Sequence, residues 1–193
     1  MSKIKVRVKG TKVQIGPCET DFVWLDRPFV PTGVGEKEGK YHITVMWPKS
    51  DVATTEAVNG AVAAALAEGD RTKWPKGRPR RLESPVKDGD EREKDPYGIY
   101  KGKMYISAKS ARPVPVVGRD KMPLLDLAGQ TWSGMEAVVE IGLFPYAVTG
   151  NAGVGAGLNI VMKTGDGQRR GGGQTDASTF DGFEIDEADD DDL

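Results

Sequence analysis

The chain has 193 residues and a formal charge of −2, but its 27 Lys and Arg all lie at or before Arg170, while nine of its 29 acids fall in residues 171–193. One cysteine, Cys18, and one histidine, His42, exclude an internal disulfide, a cysteine-based zinc site and a His-rich metal centre; they fit a Ser-His-Asp hydrolase poorly and point to a reducing cytoplasm. No run of 18 apolar residues is available to cross a membrane, and MSKIKVRVKGTKV lacks the apolar core of a secretory signal.

The first predicted element alternates Ile4, Val6 and Val8 with Lys3, Lys5, Arg7 and Lys9, a half-buried strand with a cationic outer face. Phe22, Trp24 and Phe29, near Arg27, read as core. In GKYHITVMWPKS, Tyr41, Ile43, Val45 and Trp47 take one side of a strand and His42, Thr44 and Met46 the other. Only one of these faces is free to meet a ligand, and the pattern leaves open which. Pro48 ends the strand.

The period then changes. Val52, Ala53, Val58, Val62 and Leu66 suit a helix from about Asp51 to Glu68, capped by Ser50 or Asp51 and stopped at Gly69. RTKWPKGRPRR follows, from Arg71 to Arg81, with six basic residues around Trp74 and no acid. Arg71, Lys73, Lys76 and Arg78 suit phosphate neutralisation, and an exposed indole would stack an unpaired base. The plainer alternative is a solvated loop whose tryptophan plugs the end of a barrel.

DGDEREKD, Asp88 to Asp95, invites a metal-loop reading, but it lacks the spacing of a calcium loop, and Arg92 and Lys94 compete with any cation. It reads as a turn with local ion pairs. KGKMYISAKS alternates Met104, Ile106 and Ala108 with Lys103, Tyr105, Ser107 and Lys109. Its outer row of cation, ring, hydroxyl and cation, with Trp47 on the earlier strand as a further stacking candidate, Tyr97 and Tyr100 upstream and Arg112 downstream, suits a single strand of nucleic acid. Trp132 reads as core.

MEAVVEIGLFPYAV and VGAGLNIVMK read as two strands joined by TGNAG. The glycines of GNAGVGAGLN mimic a dinucleotide fingerprint, but a strand follows where a helix is required. From Gly165 the chain is too polar and Gly-rich to pack and reads as a linker. Four to six strands with one inserted helix predict a mainly β fold, an antiparallel barrel or sandwich of the OB type over residues 1–165. Residues 166–193 are expected to form a flexible, disordered acidic tail. Residues 1–170 carry about +7 (27 − 20) and residues 171–193 about −9. Such a tail recruits basic partners or competes with polyanions for the body's own cationic surface.

LESPVKDGDEREKD, GKMYISAKSARPVPVV, GNAGVGAGLNIV and the DGF that leads into the acids together resemble the OB-fold single-stranded-DNA-binding proteins of tailed bacteriophages. The AKS-x-RP block is the most specific piece. The resemblance implies an OB barrel that coats single strands during phage DNA replication. With the residues above it gives the expectation of a non-enzymatic, cofactor-free, sequence-tolerant binder of single-stranded DNA, acting in replication and recombination in the host cytoplasm, with self-association left open. The resemblance also implies a tail, with Phe183 and Asp189, Asp190, Asp191 and Asp192, that contacts a polymerase or helicase. Two alternatives come from other classes: a metal-dependent nuclease using Asp88, Asp90, Glu91 and Glu93, and a phage structural protein whose tail mimics DNA.

Overall fold

A computed structural model describes residues 3–32 and 38–170. Its longest strand is one that the sequence pattern conceals. β2 (Lys12–Phe29) runs through Gly16 and Pro17, a pair that reads as a break, and turns Val13, Ile15, Cys18 and Thr20 inward. It pairs antiparallel with β1 (Lys5–Lys9) on its first half. Its later half pairs with β3 (Lys40–Pro48). Burial drives the Cys18 thiol up to about 12, so it stays protonated at neutral pH.

β3 continues through its ladder to β5 (Lys103–Ser110). β7 (Glu136–Val148) and β8 (Asn151–Gly165) form a long hairpin, and β7 returns to β2. A parallel contact between Lys109 and Gly157 joins β5 to β8 and closes the circuit β2–β3–β5–β8–β7. Five strands closed in this order, with one parallel contact, make an OB-type barrel, as the sequence predicts. Three short strands fall outside the barrel: β1 flanks β2, β4 (Val86–Asp88) extends β5, and β6 (Val116–Val117) lies parallel to β8. The interior is filled by Ile15, Ile43, Val45, Trp47, Ile106, Val139, Ile141 and Val161.

The helix α1 (Val52–Thr72) sits between β3 and β5 and packs mainly on β7, burying Val58, Ala61, Val62 and Ala65. Asp51 caps it by accepting from the Thr54 amide at 3.1 Å. It does not stop at Gly69 as expected, because that glycine serves packing. The Trp74 ring lies where a Cβ on Gly69 would be, with ring carbon Cζ3 2.2 Å from that position. A four-residue helix, α2 (Leu127–Gln130), precedes β7.

The segment after β8 corrects the linker expectation. Asp166–Arg170 lies back on the barrel: the Trp132 Nε1 donates to the Asp166 carbonyl at 2.8 Å, and the Arg170 amide to the Ser133 carbonyl at 2.7 Å. Gly134, at φ +97°, permits the approach, since a Cβ there would meet the Gln168 carbonyl oxygen at 1.7 Å. The remaining linker and the tail residues Phe183 and Asp189–Asp192 lie outside the described residues.

Candidate nucleic-acid interface

The barrel settles which face of β3 looks out. Ile43, Val45 and Trp47 are in the core, so His42, Thr44 and Met46 lie on the opposite face of the sheet with the predicted row of β5, where they are themselves buried. Register sets the pairs: Met46 opposite Tyr105, Thr44 opposite Ser107, and His42 opposite Lys109. The hydroxyls of Thr44 and Ser107 lie 2.8 Å apart. On the far side of β3, β2 adds Glu19, Asp21 and Trp24 to the same rows. The Lys103, Tyr105, Ser107 and Lys109 row therefore stands on a three-stranded outer surface.

Trp47 is corrected as a stacking residue. It is wholly buried, and its Nε1 donates to Thr55 Oγ1 at 2.9 Å, which ties β3 to α1. Trp74 is the second correction: it is buried against Gly69 at the end of α1 rather than exposed for stacking. Tyr100 is the third correction: it is 2% exposed, and its hydroxyl donates to Asp21. Burial first, and then the Asp21 carboxylate, push its pKa up. In each case the ring adds more by leaving water than by waiting on the surface.

Of the cations, Arg78 forks onto Asp70 at 2.5 and 2.8 Å, so its charge is already matched. Lys103 is half-buried and paired with Glu19 at 2.5 Å. Arg71, in the last turn of α1, and Lys73 and Lys76 beyond it are exposed, while Pro79 and Arg81 form a cleft with Ala147, Val148 and Asn151 at the β7–β8 turn. Lys109 and Arg112 are exposed beside the outer surface. Tyr97 is 85% exposed.

Sequence reasoning missed the most aromatic part. Phe22, Trp24 and Phe29, read as core, lie on the outer surface as a cluster with His42. The β2–β3 ladder shifts register between Asp21 and Trp24, and Phe22 sits at φ +51° with its ring 37% exposed. A non-glycine residue held there costs about 1–3 kcal/mol, a strain that concentrates at functional sites. The displaced Val23 amide is satisfied by Ser133 Oγ at 3.1 Å. The signal available in the sequence was the close spacing of three rings around Arg27.

Arg92 is the other omission, since its acidic neighbours made it read as a local ion-pair partner. Its guanidinium carbon lies 4.0 Å from the Tyr100 ring centre and 5.3 Å from that of Tyr105. It borders a cleft of about 620 Å³ whose walls also hold Trp24, Arg27, Lys94, Tyr97, Trp132 and Arg169. Lys163 and Arg169 stack on Trp132 at 3.8 and 5.2 Å. Rings and cations thus alternate along one groove.

The Asp88–Asp95 run turns after β4 as predicted, but its ion pairs reach across to Lys49 instead of forming within the run. Asp88 and Asp90 both pair with Lys49, which lowers both carboxyl pKa values, and Asp90 also accepts from the Gly102 amide at 2.8 Å. Among the described residues no group of three metal-ligating side chains forms. Nor, among them, is any helix long and apolar enough to cross a membrane.

The family model described as "Enterobacter phage Enc34, ssDNA-binding protein" matches residues 11–193. No curated protein matches. Among solved structures, the single-stranded DNA-binding protein from bacteriophage Enc34 aligns with a TM-score of 0.68 at 19% identity, over 95% of this chain and 100% of that one. The Enc34 protein in complex with ssDNA aligns with a TM-score of 0.70 at 21% identity, over 89% and 100%. Bacteriophage T7 gp2.5, a single-stranded DNA binding protein, aligns at 0.52 and 19% identity, over 96% of each chain. These likenesses show a shared fold.

Proposed function

The chain belongs to the family of the Enterobacter phage Enc34 ssDNA-binding protein, and from that premise we propose that it is a non-catalytic, largely sequence-tolerant binder of single-stranded DNA. The observation that carries the reading is the outer surface of β2, β3 and β5, where Tyr105, Phe22 and Trp24 stand among Arg27, Arg92 and Lys109. Rings stack unpaired bases and cations track phosphates. OB barrels take single strands on this strand face and its flanking loops. Arg71, Lys73, Lys76 and Arg112 are the cations through which the track extends beyond the groove.

The acidic residues 171–193 serve as a second, competing ligand for this groove and as a recruitment segment for a polymerase or helicase in phage replication and recombination. Arg170, the last described residue, pairs with Glu19 on the outer surface, so residues 171–193 are joined to the barrel beside the groove. A linker of roughly 15 residues reaches about 20 Å, enough to return over it. Copies coating one strand lie side by side in the host cytoplasm and associate there.

A gel shift with equal-length single- and double-stranded oligonucleotides, with and without magnesium, tests the core of this reading. Preferential, magnesium-independent retention of the intact single strand is the expected outcome. Degradation with magnesium would support the nuclease alternative, and no shift would support the structural one.

A further inference from the structure

The segment that ends the described chain does more than cover the barrel. Asp166–Arg170 runs along the rim of the groove as a strap and is fixed at each end. At its start, the Trp132 Nε1 donates to the Asp166 carbonyl at 2.8 Å, and Lys163 pairs with the Asp166 carboxylate at 2.7 Å. At its end, the Arg170 amide donates to the Ser133 carbonyl at 2.7 Å, and the Arg170 guanidinium pairs with Glu19. The fit between is close: a Cβ on Gly167 would lie 1.9 Å from the Gly134 carbonyl oxygen. Docked in this way, the strap supplies a wall to two clefts. Arg169 and Arg170 border the cleft of about 620 Å³ that holds Arg92 and Tyr97. Gln168 and Arg170 border a second, of about 500 Å³, with Tyr97 and Lys103.

From this geometry we infer that the strap is part of the DNA site itself: Arg169, carried on Trp132, holds a backbone phosphate of the single strand, and bound DNA in turn holds the strap against the barrel. The Arg169 guanidinium carbon lies 5.2 Å from the centre of the Trp132 ring. Stacking of that kind orients the planar group and leaves its N–H edge for a phosphate. Arg169 is exposed and makes no ion pair among the described residues, whereas Arg170 beside it is matched by Glu19. The acids of the same cleft are engaged elsewhere. Asp21 accepts from the Tyr100 hydroxyl, Asp95 from the Ile99 and Tyr100 amides, and Asp26 lies 3.9 Å from Arg27. An anion entering beside Arg169 therefore meets cations in excess, with Arg92 and Lys94 in the same walls. The strap also reaches the stacking rings: Ser133, whose carbonyl accepts from the Arg170 amide, accepts on its hydroxyl from the Val23 amide between Phe22 and Trp24. Because the phosphate contact exists only while the strap is docked, DNA prefers the docked form, and binding and docking favour each other by the same factor. The inference rests on the single-strand reading above and deepens it, because the root of residues 171–193 becomes a part of the site that DNA occupancy fixes.

The test pairs hydrogen exchange of the full-length protein, free and saturated with a dT oligonucleotide, with salt titrations of dT binding by variants. In the wild type, peptides covering residues 166–170 should exchange more slowly with DNA, since the Arg170 amide is held on Ser133. Arg169→Gln should weaken binding at low salt by about 2- to 10-fold. It should also reduce the magnitude of the log–log salt slope by about 0.7, the share of one phosphate, and Arg169→Lys should restore that share. Gly167→Ala, which drives a methyl into the Gly134 carbonyl, should lose the same share of the slope. Adding Arg169→Gln to it should then change nothing further. A strap of purely structural use would leave the slope at its wild-type value in every variant. Unchanged exchange across residues 166–170, or an Arg169→Gln slope equal to wild type, overturns the strap's role while leaving single-strand binding intact. An additive double variant places Arg169 on the DNA independently of docking and overturns the linkage. No binding by the wild type overturns both readings. Should Gly167→Ala fail to fold, wild-type exchange and the variants of the exposed Arg169 still decide.

Discussion

Tyr100 donates its hydroxyl to Asp21 Oδ2 at 2.5 Å and thereby fastens the segment before β5 to the middle of β2. The same ring meets Tyr105 edge-on, with centres 4.9 Å apart, and carries Arg92 on its face. Tyr100 is therefore the support of the stacking surface and the half-buried Tyr105 its more accessible member.

Tyr100→Phe should thus act on stability before affinity. It removes a bond to a charged acceptor in a part-buried site, and about 1–2 kcal/mol of unfolding free energy should be lost. Urea unfolding measures this. The salt slope of DNA binding should stay unchanged, since no cation is removed.

Trp74 gives the opposite sign from the one its cationic neighbours suggest. Because the ring is buried against Gly69, Trp74→Ala should destabilise the fold by about 3 kcal/mol, as large-to-small core changes do. Gly69→Ala should also destabilise it, by driving a methyl into the indole. A Trp74→Ala protein with wild-type stability and weakened DNA binding would restore the ring to the surface.

Salt dependence should be steep. Arg27, Arg92, Lys94, Lys109 and Arg169 line the clefts, and four or five phosphates neutralised on a single strand give a log–log slope of about −3. Lys109→Gln should reduce the magnitude of that slope by about 0.7. Titrations at several salt concentrations read this directly.

His42 links stability to acid pH. Burial, aided by the charges of Lys109 and Arg92, lowers its pKa from 6.5 to about 4. The unfolded chain binds the proton more tightly, so this stabilisation is complete above about pH 6.5 and drains away as pH falls toward 4. At full extent it is worth about 3 kcal/mol. His42→Phe should therefore lose less stability than wild type between pH 7 and pH 4.5. Equal losses would place the imidazole in contact with water.

The barrel was legible wherever one face of a strand is buried. β3 and β5 alternate with period two, and α1 announces itself by its change of period. β2 escaped because Gly16 and Pro17 break the pattern and the irregularity at Phe22 shifts it again. The candidate site was legible on β5 alone. A run of cations around Trp74 reads the same whether the ring is in or out, since Gly69 decides it. Tyr100 and Asp21 are 79 residues apart, a pairing that only the closed barrel creates.

Hydrogen exchange of the full-length protein, free and saturated with a single-stranded oligonucleotide, tests the location of binding most directly. Protection should fall on peptides spanning β2 from Glu19 to Phe29, β3, and residues 92–110, and should leave the 52–72 helix unchanged. Protection confined to residues 71–81, with the outer surface of β2, β3 and β5 exchanging as in the free protein, would contradict the account.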